Sequence, residues 1–424
     1  MEEFVAAQIR YGLKYVPVNI LKSYFIPQSS GETRALRARG FLRGVCHPDE
    51  NYALLREAHL QWVRFDIPFP FTANGGESES YRAFKDRCRG YAERGFSVMA
   101  VTPFPHAFVR NGVDPRTPEG EARVREIAAF LARDLQGLVG GFQISNEMGL
   151  PKFTLPLTLD EAARFIGIQA ETMYPLRGNL LIGYNSAGPE AKLHTLLRPY
   201  HRYCDYVGID VYLGCFAGLP GLMGIFESLL RYLWALTGKP VILQEFGYIG
   251  SGEPKTKAQK KALLRSYGLE REKDAKADIE ALMTKLPGNF QHSIRFDGRD
   301  DPARYYDLLF HSDYRQHFYK EMSRLTRIPG YPHTPDGQAK FYGDLIGRLY
   351  GLPFVVGAMI YCWSDAETCG YCGQPDCPVE TRWGLVDCCG RPKPSYYAVK
   401  KQFGRLCFFD NAAKKAAHTA RGND

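Results

Sequence analysis

Residues 141–147 read Gly-Phe-Gln-Ile-Ser-Asn-Glu, and residues 241–247 read Val-Ile-Leu-Gln-Glu-Phe-Gly. Each is a short apolar or β-branched run that delivers a glutamate at its end, Glu147 in the first and Glu245 in the second. Runs of this length, bounded by polar residues or glycine, are strand signals. Longer amphipathic stretches flank both, which is the pattern of parallel strands joined by crossover helices.

The same signal recurs on either side, at Phe41–Val45, Trp62–Asp66, Ser97–Val101, Leu180–Tyr184, Tyr206–Val211 and Gly357–Tyr361. With Gly141–Ser145 and Val241–Gln244 the strands number eight, which closes a (β/α)8 TIM barrel. The intervening helices carry their own marks. Pro118–Leu135 keeps Val124, Ile127, Ala128 and Leu131 on one face, and Thr158-x-x-Glu161 is a capping box ahead of Ala162–Met173. Phe341–Tyr350 runs into Gly351 and Pro353, a helix stop. Pro394–Phe403 reads as the closing helix. The predicted organisation is an α/β barrel over 41–402, a helical extension packed on it over 1–40, and a tail over 403–424 that is polar and frayed from Ala412 on.

One connection is too long for a simple crossover. About 80 residues, Gly250–Pro332, separate strand seven from the following helix, and connections of that size are uncommon unless functional or separately folded. Leaving from the C-terminal end of a strand, this segment (250–332) reads as an insertion or lid over the barrel mouth. Its expected helices are Lys260–Tyr267, Lys276–Lys285 and Tyr305–Leu325. The plain alternative is a solvated structural excursion.

Composition excludes several classes. The 424 residues are 45% hydrophobic and 24% charged, the profile of an ordinary globular chain. A net charge of +8, dispersed along the chain, makes no nucleic-acid footprint. No uninterrupted apolar run approaches the roughly 20 residues of a membrane span. The first residues are acidic, and Arg10, Lys14 and Lys22 interrupt the apolar positions that follow, unlike a signal peptide. Eleven cysteines, an odd number without an export signal, favour reduced thiols and a cytoplasmic address. Nothing in the composition names an oligomeric state.

In a barrel of this kind the reactive residues sit at the C-terminal ends of the strands. Those ends are Cys46-His47, Arg64-Phe65-Asp66, Pro105-His106, Asn146-Glu147, Tyr184-Asn185, Asp210-Val211-Tyr212, Glu245-Phe246 and Trp363-Ser364-Asp365. Roughly half a barrel turn separates strands four and seven, so Glu147 and Glu245 face each other across the mouth. Two facing carboxylates are what glycosidic cleavage requires: one protonates the leaving oxygen, the other attacks the anomeric carbon or activates water.

An Asn-Glu pair ending strand four, a lone Glu ending strand seven, an Arg ending strand two and a Trp ending strand eight together resemble glycoside hydrolase clan A, the retaining (β/α)8 glycosidases. The resemblance spans about residues 41–402 and assigns no particular family. It implies a retaining β-glycosidase that acts on oligosaccharides or glycosides, with Glu147 as acid/base and Glu245 as nucleophile. It further implies that Asn146 binds the sugar 2-hydroxyl, Arg64 partners Glu245, Tyr212 orients Glu245, and Trp363 forms the aromatic floor under the sugar. His106 would touch a sugar hydroxyl, as in some clan members. No cofactor is needed for that chemistry.

Each assignment has a plainer counterpart. A strand-end glutamate can cap the next helix, Arg64 can simply pair with Asp66, and His47 and His106 can be core histidines. Asp210 and Asp365 can bind sugar or fix loops. A barrel that binds carbohydrate without cleaving it is the alternative function, although such loss would normally strike one of the two glutamates. A metal-dependent barrel hydrolase needs His-x-His after strand one, where this chain has only Cys46-His47.

Seven of the eleven cysteines follow position 350. Cys369-x2-Cys372-x4-Cys377 and then Cys388-Cys389 lie after strand eight, with Gly370, Gly373 and Pro375 to bend the chain. Soft thiolates at this spacing suit a tetrahedral structural zinc held by Cys369, Cys372, Cys377 and Cys388. Free thiols and disulfides satisfy the same spacing.

Overall fold

The side-chain alternation of the strands sorts residues between the inside of a barrel and its helical coat. In Trp62-Val-Arg-Phe-Asp66, Val63 and Phe65 join the large outer core while Trp62 packs against the inner one. The computed structural model describes residues 2–215, 222–322 and 327–421, with side chains from Arg10 to Asp410 within those spans. Eight parallel strands close the barrel in chain order: β1 Leu42–Cys46, β2 Trp62–Asp66, β3 Ser97–Val101, β4 Gly141–Gln143, β5 Leu181–Tyr184, β6 Tyr206–Val211, β7 Val241–Phe246 and β8 Val355–Ile360. Closure is the pairing of β1 with both β2 and β8.

Several strand ends differ from the sequence reading by a residue or more, and the differences at β4 and β7 bear on the two glutamates. The ladder of β4 stops at Gln143, because Ser145 and Glu147 both take left-handed backbone angles, φ 55° and 46°. Non-glycine residues rarely adopt that region, at a cost of about 1–3 kcal/mol each, and such residues gather at functional sites. Conversely, β7 continues to Phe246, so Glu245 lies within the strand. A register shift against β6 sets Asp210 opposite Glu245. Irregularities of this kind re-aim side chains next to sites.

The barrel interior is layered, as expected for this architecture. Leu42, Leu181 and Val356 fill it apolar side chain by apolar side chain, together with Met99, Tyr206, Ile242 and Met359. Tyr206 spans the width, accepting from Gln244 Nε2 at 2.8 Å and donating to the Phe142 carbonyl at 3.1 Å. Gly183 makes room for it, since a Cβ there would meet the Tyr206 ring at 2.5 Å.

Two N-terminal helices precede the barrel. Gly31–Arg39 is held by a Ser30/Thr33 capping box and puts Leu36 into the inner core beside Leu42, closing the end opposite the mouth. Glu2–Ser23 packs on the helices Met223–Thr237 and Ala191–Leu197. The expected closing helix Pro394–Phe403 runs on to Arg421, and residues 422–424 of the expected frayed tail lie outside the described residues. Asp410 on this helix accepts from Arg43 Nη1 at 3.1 Å and from the Phe41 N–H at 3.0 Å. Among the described residues no helix is long and apolar enough to cross a membrane.

The insertion after β7 is helical. It contains Lys257–Ser266, a 3-10 turn Glu272–Lys276, Ile279–Met283, Gly288–Gly298, Pro302–His311 and Tyr314–Tyr319 before the helix Pro335–Tyr350. Phe290, Ile294, Leu309, Phe310 and Phe318 are buried among these helices. The single helix expected over Tyr305–Leu325 is broken at Ser312, whose Oγ accepts from the Tyr314 N–H at 3.2 Å and so restarts the chain. Residues 323–325 of that expectation lie outside the described residues.

Candidate active site

Arg64 ends the inward face of β2 and is 1% exposed. A guanidinium this deep must spend its donors on fixed acceptors. Nη1 reaches Glu245 Oε1 at 2.5 Å, Nη2 reaches Asn146 Oδ1 at 2.6 Å, and Nε reaches Gln143 Oε1 at 2.8 Å. Its partner is therefore Glu245, and the plainer pairing with Asp66 does not form. The other Glu245 oxygen accepts from the Tyr212 hydroxyl. Burial, and then the Glu245 charge, push the Tyr212 phenol well above its ordinary value, so it remains a donor.

Asn146 is oriented by its surroundings without ambiguity. Its Oδ1 accepts from Arg64, from Gln143 Nε2 at 2.9 Å and from Asn185 Nδ2 at 2.7 Å. The neighbouring amides are fixed in turn. Gln143 must present its oxygen to Arg64, and Asn185 must present its oxygen to the Glu147 N–H at 2.9 Å. With every donor aimed at Oδ1, the Nδ2 of Asn146 is left as a donor for a ligand.

Glu147 follows directly and is partly exposed in the mouth. Burial first, and then the charge of Glu245, push its carboxyl up to about 8. Two further carboxyls lie behind it. Asp210 takes Asn185 Nδ2 at 2.5 Å on one oxygen and has no partner on the other. Burial, followed by the charges of Glu245 and Glu147, holds it well above the carboxylate range. Glu190 accepts from the backbone N–H groups of Ala187 and Gly149, and burial with the Glu147 charge likewise raises it. Asp210 and Glu190 thus prop the loops that carry Asn146 and Glu147. The mouth can hold one carboxyl protonated at neutral pH beside a carboxylate paired with arginine and tyrosine.

Trp363 does not stand at the mouth. Trp363 is fully buried, its ring edge-on to Tyr396 at 6.2 Å, and cannot touch a ligand. Strand β8 ends at Ile360, and the chain then crosses over: the Tyr361 N–H bonds the Phe246 carbonyl on one side, the Trp363 N–H the Cys46 carbonyl on the other. This turn sends Trp363 into the outer core and leaves Tyr361 partly exposed at the mouth. Tyr361 stands edge-on to Tyr212 at 5.6 Å, to Trp383 at 5.9 Å and to His47 at 5.7 Å.

The remaining candidates fall into place around these residues. His106 is partly exposed and stacks on Phe104 at 5.5 Å, which stacks on Phe153 of the loop after β4. Burial, with Arg110 nearby, lowers the His106 imidazole below its ordinary value, so it is neutral at pH 7. Asp365 fixes a loop, accepting from Lys393 Nζ and the Gly384 N–H, both at 2.8 Å.

Of the four expected metal ligands, Cys369, Cys372 and Cys377 are buried together, and His317, not Cys388, stands with them. Cys388 is exposed beside Cys389 and takes no part. Sequence spacing pointed to the nearest following cysteine, whereas the fold supplies a histidine from the insertion, which no local spacing could reveal. These four residues could hold a metal ion. Gln143, Tyr361 and Lys152, whose charge opposes the rise of the Glu147 carboxyl, were not read as site residues, and Asn185 stood among the strand ends without a role. Their signal was positional only: Gln143 alternates with Gly141 on the inner face of β4, and Asn185 and Tyr361 stand at strand ends.

No family model matches the chain, and no curated protein sequence matches it. Solved structures do. A GH53 catalytic domain from Ignisphaera aggregans superposes with a TM-score of 0.50 at 16% identity, covering 86% of this chain and 96% of that one. A GH2 β-galacturonidase from Eisenbergiella tayi, bound to galacturonate, gives 0.47 at 12% identity over 86% of this chain and 51% of its own. A β-glucuronidase from Faecalibacterium prausnitzii gives 0.47 at 16% identity over 86% and 49%. The chain thus spans about half the length of the latter two. At such identities the likeness is one of fold: a closed eight-stranded parallel barrel in glycoside hydrolases, consistent with the clan A resemblance and without assignment to a family.

Proposed function

We propose that this chain is a retaining β-glycosidase that hydrolyses O-glycosidic bonds of oligosaccharides or glycosides by double displacement. The observation that carries the reading is the asymmetry of the two mouth glutamates. Glu147 is pushed up to about 8, while Glu245 is clasped by Arg64 and Tyr212. Glycoside cleavage needs this split, a protonated acid beside an anionic nucleophile. The glycosidase folds of the structural neighbours support the same class.

In this mechanism Glu147 protonates the glycosidic oxygen as Glu245 attacks the anomeric carbon. The aglycone leaves and a glycosyl ester forms on Glu245. Esterification removes the Glu245 charge, which is one of the causes holding Glu147 protonated. Glu147 can then act as base toward the incoming water, which releases the sugar with retained configuration. Asn146 Nδ2 is available to the sugar 2-hydroxyl, and Tyr361, rather than Trp363, supplies the aromatic surface. The insertion 250–332 acts as the lid. No disulfide joins the described cysteines, which suits a reducing, cytoplasmic setting.

Azide rescue tests the assignment. Glu245→Ala should abolish turnover of aryl β-glycosides and recover with azide to give the α-glycosyl azide. Glu147→Ala should keep partial activity on substrates with good leaving groups and yield the β-azide. The opposite anomers would overturn the roles. Sugar binding without release across a panel of glycosides would favour a non-catalytic carbohydrate-binding barrel.

A further inference from the structure

The loop after β8 and the insertion after β7 meet at a point rich in sulfur. Cys369, Cys372 and Cys377 come from the loop, and His317 comes from the helix Tyr314–Tyr319 of the insertion. All four are buried, and their ligand atoms lie within 4.8 Å of one another. His317 Nδ1 stands 3.3 Å from Cys369 Sγ and 3.5 Å from Cys377 Sγ. A tetrahedral zinc, with Zn–S near 2.3 Å and Zn–N near 2.0–2.1 Å, sets its ligand atoms about 3.6–3.8 Å apart. The donor set is soft, closed and made entirely of protein, as in structural sites. Thiols buried only for packing have no need to converge on an imidazole more than fifty residues away in sequence.

We infer that His317, Cys369, Cys372 and Cys377 form a structural Cys3His zinc site that fastens the 250–332 insertion to the loop following β8. Zinc binding displaces the three thiol protons, leaving three thiolates and a neutral imidazole around the ion. The residues between the ligands show what the knot secures. The Tyr371 hydroxyl accepts from Lys152 Nζ at 2.5 Å, on the short helix Pro151–Thr154 that follows Glu147. The Tyr371 carbonyl accepts from Ser293 of the insertion at 3.1 Å, and Lys320 pairs with Asp376 at 2.8 Å. The metal therefore ties together the insertion, the β8 loop and the segment after Glu147. Only the bearing of that last link on catalysis rests on the glycosidase reading.

The test uses the full chain expressed with added zinc and purified in reducing buffer without chelator. Elemental analysis should give one zinc per chain, and cobalt substitution should give the intense visible d–d bands of a tetrahedral thiolate site. Cys377→Ser and His317→Ala should lose the metal, and Cys388→Ser should keep it. Chelation should lower the melting temperature and open residues 250–332 to limited proteolysis. Substoichiometric zinc with all thiols reduced would overturn the inference, as would a disulfide among the three cysteines on mass mapping. Loss of zinc without new cleavage in the insertion would overturn the fastening role. Should the ligand variants fail to fold, metal content and the cobalt spectrum of the unaltered chain decide alone. No readout involves a glycoside, so failure here is separable from failure of the glycosidase reading.

Discussion

Arg64 Nη1 and Glu245 Oε1 lie 2.5 Å apart, with the arginine 1% and the glutamate 7% exposed. Removing one member of such a pair leaves the other charge buried without compensation, at about 3–5 kcal/mol. Arg64→Met should lose that much stability in urea unfolding and also abolish turnover. Loss of activity with unchanged unfolding would show that the arginine does not anchor the strand ends.

Glu147 sets a pH limb. If it is the acid, kcat/KM should fall as pH rises through about 8, and Glu147→Gln should remove that limb along with most of the activity on poor leaving groups. Stability follows the same proton. The folded-state value stands above the ordinary 4.5, so the native protein holds this proton more tightly than the unfolded chain and loses stability between about pH 4.5 and 8. Glu147→Gln should therefore gain on the unaltered protein as pH rises across that window, by roughly 1–3 kcal/mol. Melting temperatures at pH 5 and pH 8.5 check the sign. An equal difference at both would refute it.

Gln143 never reaches the mouth, yet it fixes the amide of Asn146. Gln143→Leu leaves a buried arginine N–H and an amide oxygen short of a partner, about 1–3 kcal/mol. If Asn146 binds more strongly in the transition state, the loss should fall on kcat, by roughly 5- to 150-fold, with KM little changed. A change confined to KM would show that Asn146 binds the ground state and the transition state equally.

Tyr361 and Trp363 are two residues apart and should behave oppositely. Tyr361→Ala should weaken sugar binding and kcat/KM while leaving the melting temperature close to its starting point. Trp363→Ala empties a fully buried site and should cost about 3–5 kcal/mol. Thermal unfolding measured beside steady-state kinetics separates them. A Trp363 variant that is stable but binds sugar poorly would restore the original floor.

Much of this was legible in the chain. The short apolar, β-branched runs named all eight strands, and strand ends such as Asn146-Glu147, Arg64 and Glu245 are local features that a parallel barrel carries to one mouth whatever the loops do. Alternation also decides which residues of β2 and β4 face inward. Where the backbone leaves that regularity, the reading failed. Continuing β8 past Ile360 would bring Trp363 to the mouth, but the crossing between the Phe246 and Cys46 carbonyls turns its ring outward and leaves Tyr361 partly exposed there.

The sequence by itself determined the barrel and the two glutamates, because the apolar strand runs and the residues that end them are set by neighbours in the chain. Only the tertiary structure decided that Asn185 and Gln143 lock Asn146, that burial and the Glu245 charge push Glu147 up, and that His317 rather than Cys388 joins the three cysteines. Those relations depend on distance and burial between residues far apart in sequence, and no local pattern encodes either.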